Sequence, residues 1–338
     1  MSKLIIQIPC LDEAKTLPAT IAALPKTIPG IDVVELLIID DGSTDDTIAV
    51  ARSCGVHHIV SHPQNQGLAR AFQSGLDACL RLGADIIVNT DADNQYDPAA
   101  IPELVRPILE RRADLVVGDR GTNEIAHFSW TKKRLQRLGS WVVRQASGTE
   151  VNDATSGFRA LSRHAALKLN IISEFTYTLE SLIQAGNKNL ATASVPVSTN
   201  PVTRESRLFK SNWAYIRKSA KTIVRVYSMY KPMRAFVWLG SIMFALGVAL
   251  GVRFLVYYFT EGGTGKIQSL LLGVILLVVG AQTILTGFLA DVMGHNRTLV
   301  EDVLFRIKRI ELELGARSTR SDQRKTDRPT SESSAKSP

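Results

Sequence analysis

The run Thr90-Asp91-Ala92-Asp93-Asn94-Gln95 places two carboxylates two residues apart, directly after the apolar residues Ile86, Ile87 and Val88. Carboxylates so spaced at a strand end can both approach one hard divalent cation. Oxygen ligands suit Mg²⁺ or Mn²⁺, which can then bridge to a diphosphate. An isolated Asp-x-Asp also caps helices, and Asp97-Pro98 could serve as such a cap by itself. A second cluster, Asp40-Asp41-Gly42-Ser43-Thr44-Asp45, follows the apolar residues Ile38 and Ile39. Its acidic and small polar groups can bind a nucleoside through base N–H and ribose hydroxyl groups. They can equally form a plain strand–turn–helix junction capped by Asp45 or Ser43. Pro9-Cys10-Leu11-Asp12-Glu13 ends the apolar run 4–8 in the same way.

Those clusters need a scaffold that presents strand ends together. Strands are predicted at 4–8, 34–39, 58–60, 85–89 and 115–117, with helices near 14–24, 45–53, 67–82 and 98–110. Strand–helix alternation of this kind predicts an α/β domain with a mostly parallel sheet covered on both faces. In such sheets ligands bind beyond the carboxyl ends of the strands, where all three clusters fall.

Charge divides the 338 residues unevenly. The net charge is +8, made of +11 over residues 201–338 and −3 over residues 1–200. With 45% hydrophobic residues the chain has ample core, which excludes a disordered or collagen-like protein. Cys10, Cys54 and Cys79 lack metal-ligand spacing and read as reduced core thiols of a cytosolic domain. The apolar stretch 4–8 is too short for a signal peptide. No aromatic-studded basic patch indicates nucleic acid.

From Phe209 the periodicity becomes helical. Phe209, Trp213, Ile216, Ala220, Ile223, Tyr227 and Tyr230 recur every three or four residues, with Lys210, Arg217, Lys218, Lys221 and Arg225 on other faces. An aromatic apolar face opposite a basic one suits a membrane interface. Two membrane spans are predicted next, at about 235–259 and 267–290, joined by a short Gly-rich link as a hairpin. Lys231, Arg234, Arg297 and Arg306 crowd the outer flanks, whereas the link has only Lys266. The positive-inside rule then puts the front domain and the tail in the cytoplasm. The expected organisation is a catalytic domain over 1–208, an interfacial helix over 209–232, two transmembrane helices within 233–292, a cytoplasmic helix over 293–314, and a disordered basic tail over 315–338.

Taken together, Pro9…Asp12-Glu13, Asp40-Asp41-Gly42-Ser43-Thr44-Asp45, Asn65-Gln66-Gly67 and Asp91-Ala92-Asp93 resemble the nucleotide-binding half of family 2 glycosyltransferases, which have the GT-A fold. The resemblance spans about residues 3–210. It implies a nucleoside-diphosphate sugar donor, with Pro9, Asp12, Glu13, Asp40, Asp41 and Gly67 at the nucleotide and Asp91 and Asp93 on its metal. Cys10-Leu11 departs from the Tyr or Tyr-Asn that family members often carry after the first Pro.

Within the family, Asp91-Ala92-Asp93-Asn94-Gln95, Asp153-Ala154-Thr155-Ser156-Gly157-Phe158-Arg159 and the apolar hairpin resemble polyprenyl-phosphate sugar transferases of the dolichyl-phosphate mannose synthase kind. That likeness makes Gln95 a third metal-side ligand. It also implies inverting transfer to a polyprenyl phosphate, with Arg120 and Arg134 on the acceptor phosphate and Arg204 or Arg207 helping. Arg159 and Lys133 are further basic residues expected where the chain could face a bilayer. The Gln-x-x-Arg-Trp motif usual in processive polysaccharide synthases is missing. Two other readings stand beside this one: a glycolipid synthase using a lipid hydroxyl, with Asp153 as its base, and a non-catalytic sugar-nucleotide sensor. A homo-oligomer is compatible with the sequence, which specifies none.

Overall fold

Near-continuous apolar runs such as Leu4-Ile5-Ile6 and Ile86-Ile87-Val88 leave no solvent face, so these strands must lie inside a sheet covered on both sides. The computed structural model, which describes residues 2–121, 147–172, 176–200, 232–262 and 267–326 together with Arg144 and Arg217, places them there. The strands are β1 Lys3–Cys10, β2 Val33–Asp40, β3 His58–Ser61, β4 Ile86–Asn89, β5 Leu115–Asp119, β6 Arg159–Ser162 and β7 Thr192–Pro196. They form one sheet in the order β3-β2-β1-β4-β6-β5-β7. Only β6 runs antiparallel to its neighbours, β4 and β5. Helices α1 Leu17–Ala23, α2 Thr47–Ser53, α3 Leu68–Arg81, α4 Ile101–Leu109, α5 Arg163–Lys168 and α6 Tyr177–Asn187 complete this part of the chain.

Register brings the carboxyl ends of the central strands level. Cys10 of β1 stands opposite Asp40 of β2, and Gln7 of β1 opposite Asn89 of β4. The chain turns from β1 toward β2 on one side and returns to β4 on the other, so the crevice between the two sets of connections opens at the β1 carboxyl end. Asp97 caps the 3₁₀ turn that leads into α4, accepting from the Ala99 N–H at 2.9 Å with Pro98 behind it.

Contacts separate the residues into two units, Met1–Asn212 with Val303–Pro338, and Trp213–Asp302. The second holds α7 Pro232–Glu261 and the first part of α8 Ile267–Thr326. Two segments, Phe236–Thr260 and Ile267–Gly315, are long and apolar enough to cross a membrane, with mean hydropathy 2.0 and 2.2. Their apolar side chains face outward, Phe259 being 80% exposed and Trp238 71%. Glycines let the two helices touch. A Cβ on Gly280 would lie 2.7 Å from the Phe244 nitrogen, and one on Gly247 would lie 2.9 Å from the Gly273 oxygen. Small residues give this close backbone approach in place of a hydrophobic drive. Gly280→Leu should therefore separate the helices and cost about 1–3 kcal/mol, read as a lower thermal midpoint of the detergent-solubilised protein.

α8 does not stop where the composition suggests. The second apolar run and residues 299–314 belong to one helix, and it continues beyond Gly315 to Thr326 in place of the tail expected to be disordered from 315. One glycine costs a helix only about 1 kcal/mol relative to alanine. A long helix already nucleated extends through it readily. The amphipathic stretch 209–230 lies outside the described residues apart from Arg217, which is helical and exposed.

Candidate functional site

The loops that follow β1 and β2 are stitched to each other. Asp12, at φ 53°, accepts from the Thr44 N–H at 2.8 Å, and the Asp12 N–H donates to Ser43 Oγ at 2.9 Å. Asp45 accepts from the Ala14 N–H at 3.1 Å and the Thr47 N–H at 3.0 Å, so it joins the same two loops while starting α2. Glu13 is buried, its backbone N–H donating to Thr47 Oγ1 at 2.9 Å and its carboxylate accepting from Thr16 at 2.6 Å. Asp40 is buried at the end of β2 and accepts from the Ser43 N–H at 3.2 Å.

Asp41 is buried and organises the loop before α3. It accepts from the Gln66 N–H at 2.9 Å and the Gly67 N–H at 2.8 Å, and pairs with His62 Nδ1 at 2.7 Å. His62 Nε2 in turn meets Ser74 Oγ at 2.9 Å. Gly67 holds φ 94°, which a side chain rarely adopts, and so can turn its N–H toward Asp41. Oδ1 thus has two partners and Oδ2 one, which leaves acceptor capacity on Oδ2.

The metal-type pair sits on the loop after β4. Thr20 of α1 donates to the Ala92 carbonyl at 2.9 Å, and Asn200 reaches both the Gln95 and Asn94 carbonyls at 2.9 Å, so both edges of this loop are held. Asp93 accepts from the Gln95 N–H at 3.1 Å. No donor among the described residues pairs with the Asp91 carboxylate. Its pKa rises to about 7, first because burial disfavours the charged form and then because Asp93 lies close; Glu13 adds to the rise while Arg120 and Arg159 oppose it. Two carboxylates this close, one of them with no donor, repel each other, which a divalent cation would relieve. The donor set therefore fits a hard cation. Cys10 reports the same convergence, since burial and then Glu13, Asp40, Asp45 and Asp91 all push its thiol well up. Acidic residues of all three loop clusters thus lie near the Cys10 thiol.

Beneath Asp91 lies a buried polar network that sequence reasoning missed. Asn89 accepts from Gln7 and donates to the Gly157 carbonyl and to Tyr177 Oη, each at 2.9 Å. Tyr96 Oη accepts from the Gly157 N–H at 3.0 Å, and Tyr177 stacks on Phe72 with ring centroids 3.9 Å apart. The available signal was polar residues inside apolar strands, Gln7 in β1 and Asn89 at the end of β4. A Cβ on Gly157 would lie 2.8 Å from Tyr177 Oη and 3.1 Å from an Asp91 oxygen. Gly157→Ala should displace Asp91 and lower turnover about 10- to 100-fold, seen in steady-state rates at saturating cation.

Arg120, after β5, is committed on one side. Its Nε and Nη2 form a fork on Asp153 at 2.7 and 3.1 Å, and Nη2 also reaches Thr155 Oγ1 at 2.9 Å. Guanidinium carries five N–H groups, so the two on Nη1 have no protein acceptor among the described residues. Burial pulls the Asp153 pKa up, but the Arg120 hydrogen bonds and charge outweigh it and hold the carboxyl below the usual range. A carboxylate so held is a poor general base. Arg159 does not face outward as the sequence suggested. It is fully buried at the start of β6, donating to the Ser156 carbonyl at 2.9 Å and the Ala154 carbonyl at 3.0 Å and to Ser181. Desolvation there lowers its pKa to about 10. Its length spans from β6 to the 154–156 turn, which fixes the loop that carries Asp153. Arg134, Arg204 and Arg207, like Lys133, lie outside the described residues.

The family described as "Glycosyl transferase family 2" matches residues 5–169. The UDP-N-acetylglucosamine–dolichyl-phosphate N-acetylglucosaminyltransferase of Methanococcus voltae is 32% identical over 189 residues, covering 48% of this chain and 74% of the relative. The undecaprenyl-phosphate mannosyltransferase of Micrococcus luteus is 27% identical over 226 residues, covering 64% and 91%. The crystal structure of glucosyl-3-phosphoglycerate synthase from Mycobacterium tuberculosis with Mn²⁺, UDP and glucosyl-3-phosphoglycerate superposes with a TM-score of 0.52 at 22% identity, over 67% of this chain and 79% of that one. That likeness establishes the GT-A-like fold.

Proposed function

The chain belongs to glycosyltransferase family 2, and on that premise we propose that it transfers a sugar, with inversion, from a nucleoside-diphosphate sugar to a polyprenyl phosphate at a membrane. The observation that carries the reading is the uncompensated Asp91 beside Asp93 at the carboxyl edge of the sheet, in a chain that also has two membrane-length apolar helices. Relatives whose names specify dolichyl or undecaprenyl phosphate as acceptor support the acceptor class.

Asp91 and Asp93, with Gln95, would hold Mg²⁺ or Mn²⁺, a requirement supported by the Mn²⁺ and UDP bound in the related fold. When bound, the cation supplies Lewis acidity to the leaving diphosphate. Pro9, Asp12, Glu13, Asp40, Asp41 and Gly67 form the nucleotide side of the crevice. On the acceptor side, the fork on Asp153 orients Arg120 so that its Nη1 N–H pair can meet a phosphate, with Arg134, Arg204 and Arg207 as further cations. A lipid phosphate oxygen attacks the anomeric carbon, the bond from that carbon to the diphosphate oxygen breaks, and the nucleoside diphosphate departs. A phosphate monoester has a second pKa of roughly 6 and is already ionised at neutral pH, so no general base is needed. The commitment of Asp153 to Arg120 removes the base a lipid hydroxyl acceptor would require. The basic flanks of the two spans support a cytoplasmic catalytic domain.

Product mass spectrometry tests this reading. The purified protein is incubated with Mg²⁺ or Mn²⁺, undecaprenyl or dolichyl phosphate, and a panel of GDP- and UDP-sugars. A hexosyl-phosphoryl-polyprenol ion that Asp93→Ala fails to make supports it. Absence of nucleotide binding under all these conditions overturns it.

A further inference from the structure

His62 stands just past β3 and is fixed at three points. Its backbone N–H donates to the Asp40 carbonyl at 2.9 Å. Its ring meets Asp41 Oδ1 through Nδ1 at 2.7 Å and Ser74 Oγ of α3 through Nε2 at 2.9 Å. The side chain is only 9% exposed, so water competes little for either nitrogen. Held on both edges, the imidazole cannot turn away from the carboxylate without giving up both bonds. Two backbone N–H groups already donate to that carboxylate, which as an acceptor requires that Nδ1 carry the hydrogen. The Ser74 hydroxyl then satisfies Nε2.

This contact limits what else Asp41 can accept. A carboxylate offers about four lone-pair sites, two on each oxygen. His62 and the Gln66 N–H take both on Oδ1, and the Gly67 N–H takes one on Oδ2. The same three bonds fix the plane of the group, so it cannot rotate to present both oxygens to a ligand. Uracil offers one ring donor, N3–H, between two carbonyls. Guanine offers two neighbouring donors, N1–H and the N2 amino group, which suit both oxygens of one carboxylate at once. With Oδ1 filled, Asp41 can satisfy the uracil donor but leaves one guanine donor without an acceptor.

We infer that His62 is a positioning residue for donor selection: by occupying Asp41 Oδ1 it makes the site prefer a uridine diphosphate sugar to its guanosine counterpart. This rests on the reading above, in which Asp41 lies on the nucleotide side of the crevice, and narrows it to one nucleoside.

Calorimetric titration of the purified full chain with UDP and with GDP, each in the presence of Mg²⁺ or Mn²⁺, tests the inference. The wild type should bind UDP roughly 10- to 100-fold more tightly than GDP, the range for one donor left unpaired on burial. His62→Leu removes the Nδ1 donor and frees an acceptor on Oδ1. GDP should then bind more tightly than it does to the wild type, and the ratio should fall toward unity. His62→Asn sets an amide N–H near the place of Nδ1 and should retain the UDP preference. A residue that only stabilised the fold would weaken both nucleotides alike and leave their ratio where it was. A wild type that binds GDP as tightly as UDP, or a ratio unchanged in His62→Leu, would overturn the inference and leave the transferase reading standing. Binding of neither nucleotide to the wild type would overturn that reading and this inference with it.

Discussion

Asp93→Asn is expected to reduce turnover roughly 100- to 1,000-fold, the range seen when one preorganised charge-stabilising group is removed from an active site, and to leave the fold intact. Asparagine keeps an oxygen that can accept the Gln95 N–H now held at 3.1 Å, so the loop geometry survives. What disappears is one of two negative charges. Asp93 is the neighbouring charge that does most to raise the Asp91 pKa, so its loss eases Asp91 ionisation and stabilises the cation-free protein at neutral pH. Activity and stability should therefore move in opposite directions. Steady-state product formation and thermal unfolding without added cation measure the two. Asp91→Asn should cost as much activity, and the double variant little more, because the pair acts as one unit. A variant that lost activity and melted lower would indicate a structural carboxylate instead.

Arg120→Ala should be the most destabilising single change at the site, by about 3–5 kcal/mol, since it strands a buried carboxylate. Asp153 is 1% exposed, and its strong charged partner is the Arg120 fork. The pH dependence gives a second signature. In the wild type the depressed Asp153 pKa contributes stability above the ordinary carboxylate range, and this is lost as pH falls through the folded-state value. In the variant only the Thr155 hydrogen bonds still oppose burial, so the Asp153 pKa rises. Protonation then relieves the penalty, so the gap from wild type should narrow on mild acidification. Chemical unfolding at two pH values would show it. Asp153→Asn in the Arg120→Ala background should recover part of the loss. Arg120→Lys retains the charge without the bidentate fork, and should raise the acceptor KM more than it lowers stability.

Most of the scaffold was legible because it rests on local pattern. The apolar runs at 4–8, broken by Gln7, and at 36–39 read as strands buried on both faces, and intervening amphipathic segments can cover them. The polar clusters at 9–13, 40–45 and 91–95 were visible as breaks in that pattern. Spans of about twenty uncharged apolar residues announce themselves by length alone. Beyond residue 120 the pattern weakens. β6 is four residues long and antiparallel, and its leading residue, Arg159, reads as a surface charge by type.

Sequence alone therefore determined the kind of chemistry: paired carboxylates for a cation, strand-end acids for a nucleotide, apolar spans for a lipid setting. Tertiary structure decided which charges are available for it. Asp41 and Asp45 turned out to be bound up with backbone amides and neighbouring side chains, Arg159 with carbonyls, and Asp153 with Arg120, whereas Asp91 has no donor partner among the described residues. Chain order reveals residue type and spacing, but Asp41, Asp45 and Asp153 take partners from segments 21 to 33 residues away. Only the packed sheet brings those segments within hydrogen-bond reach.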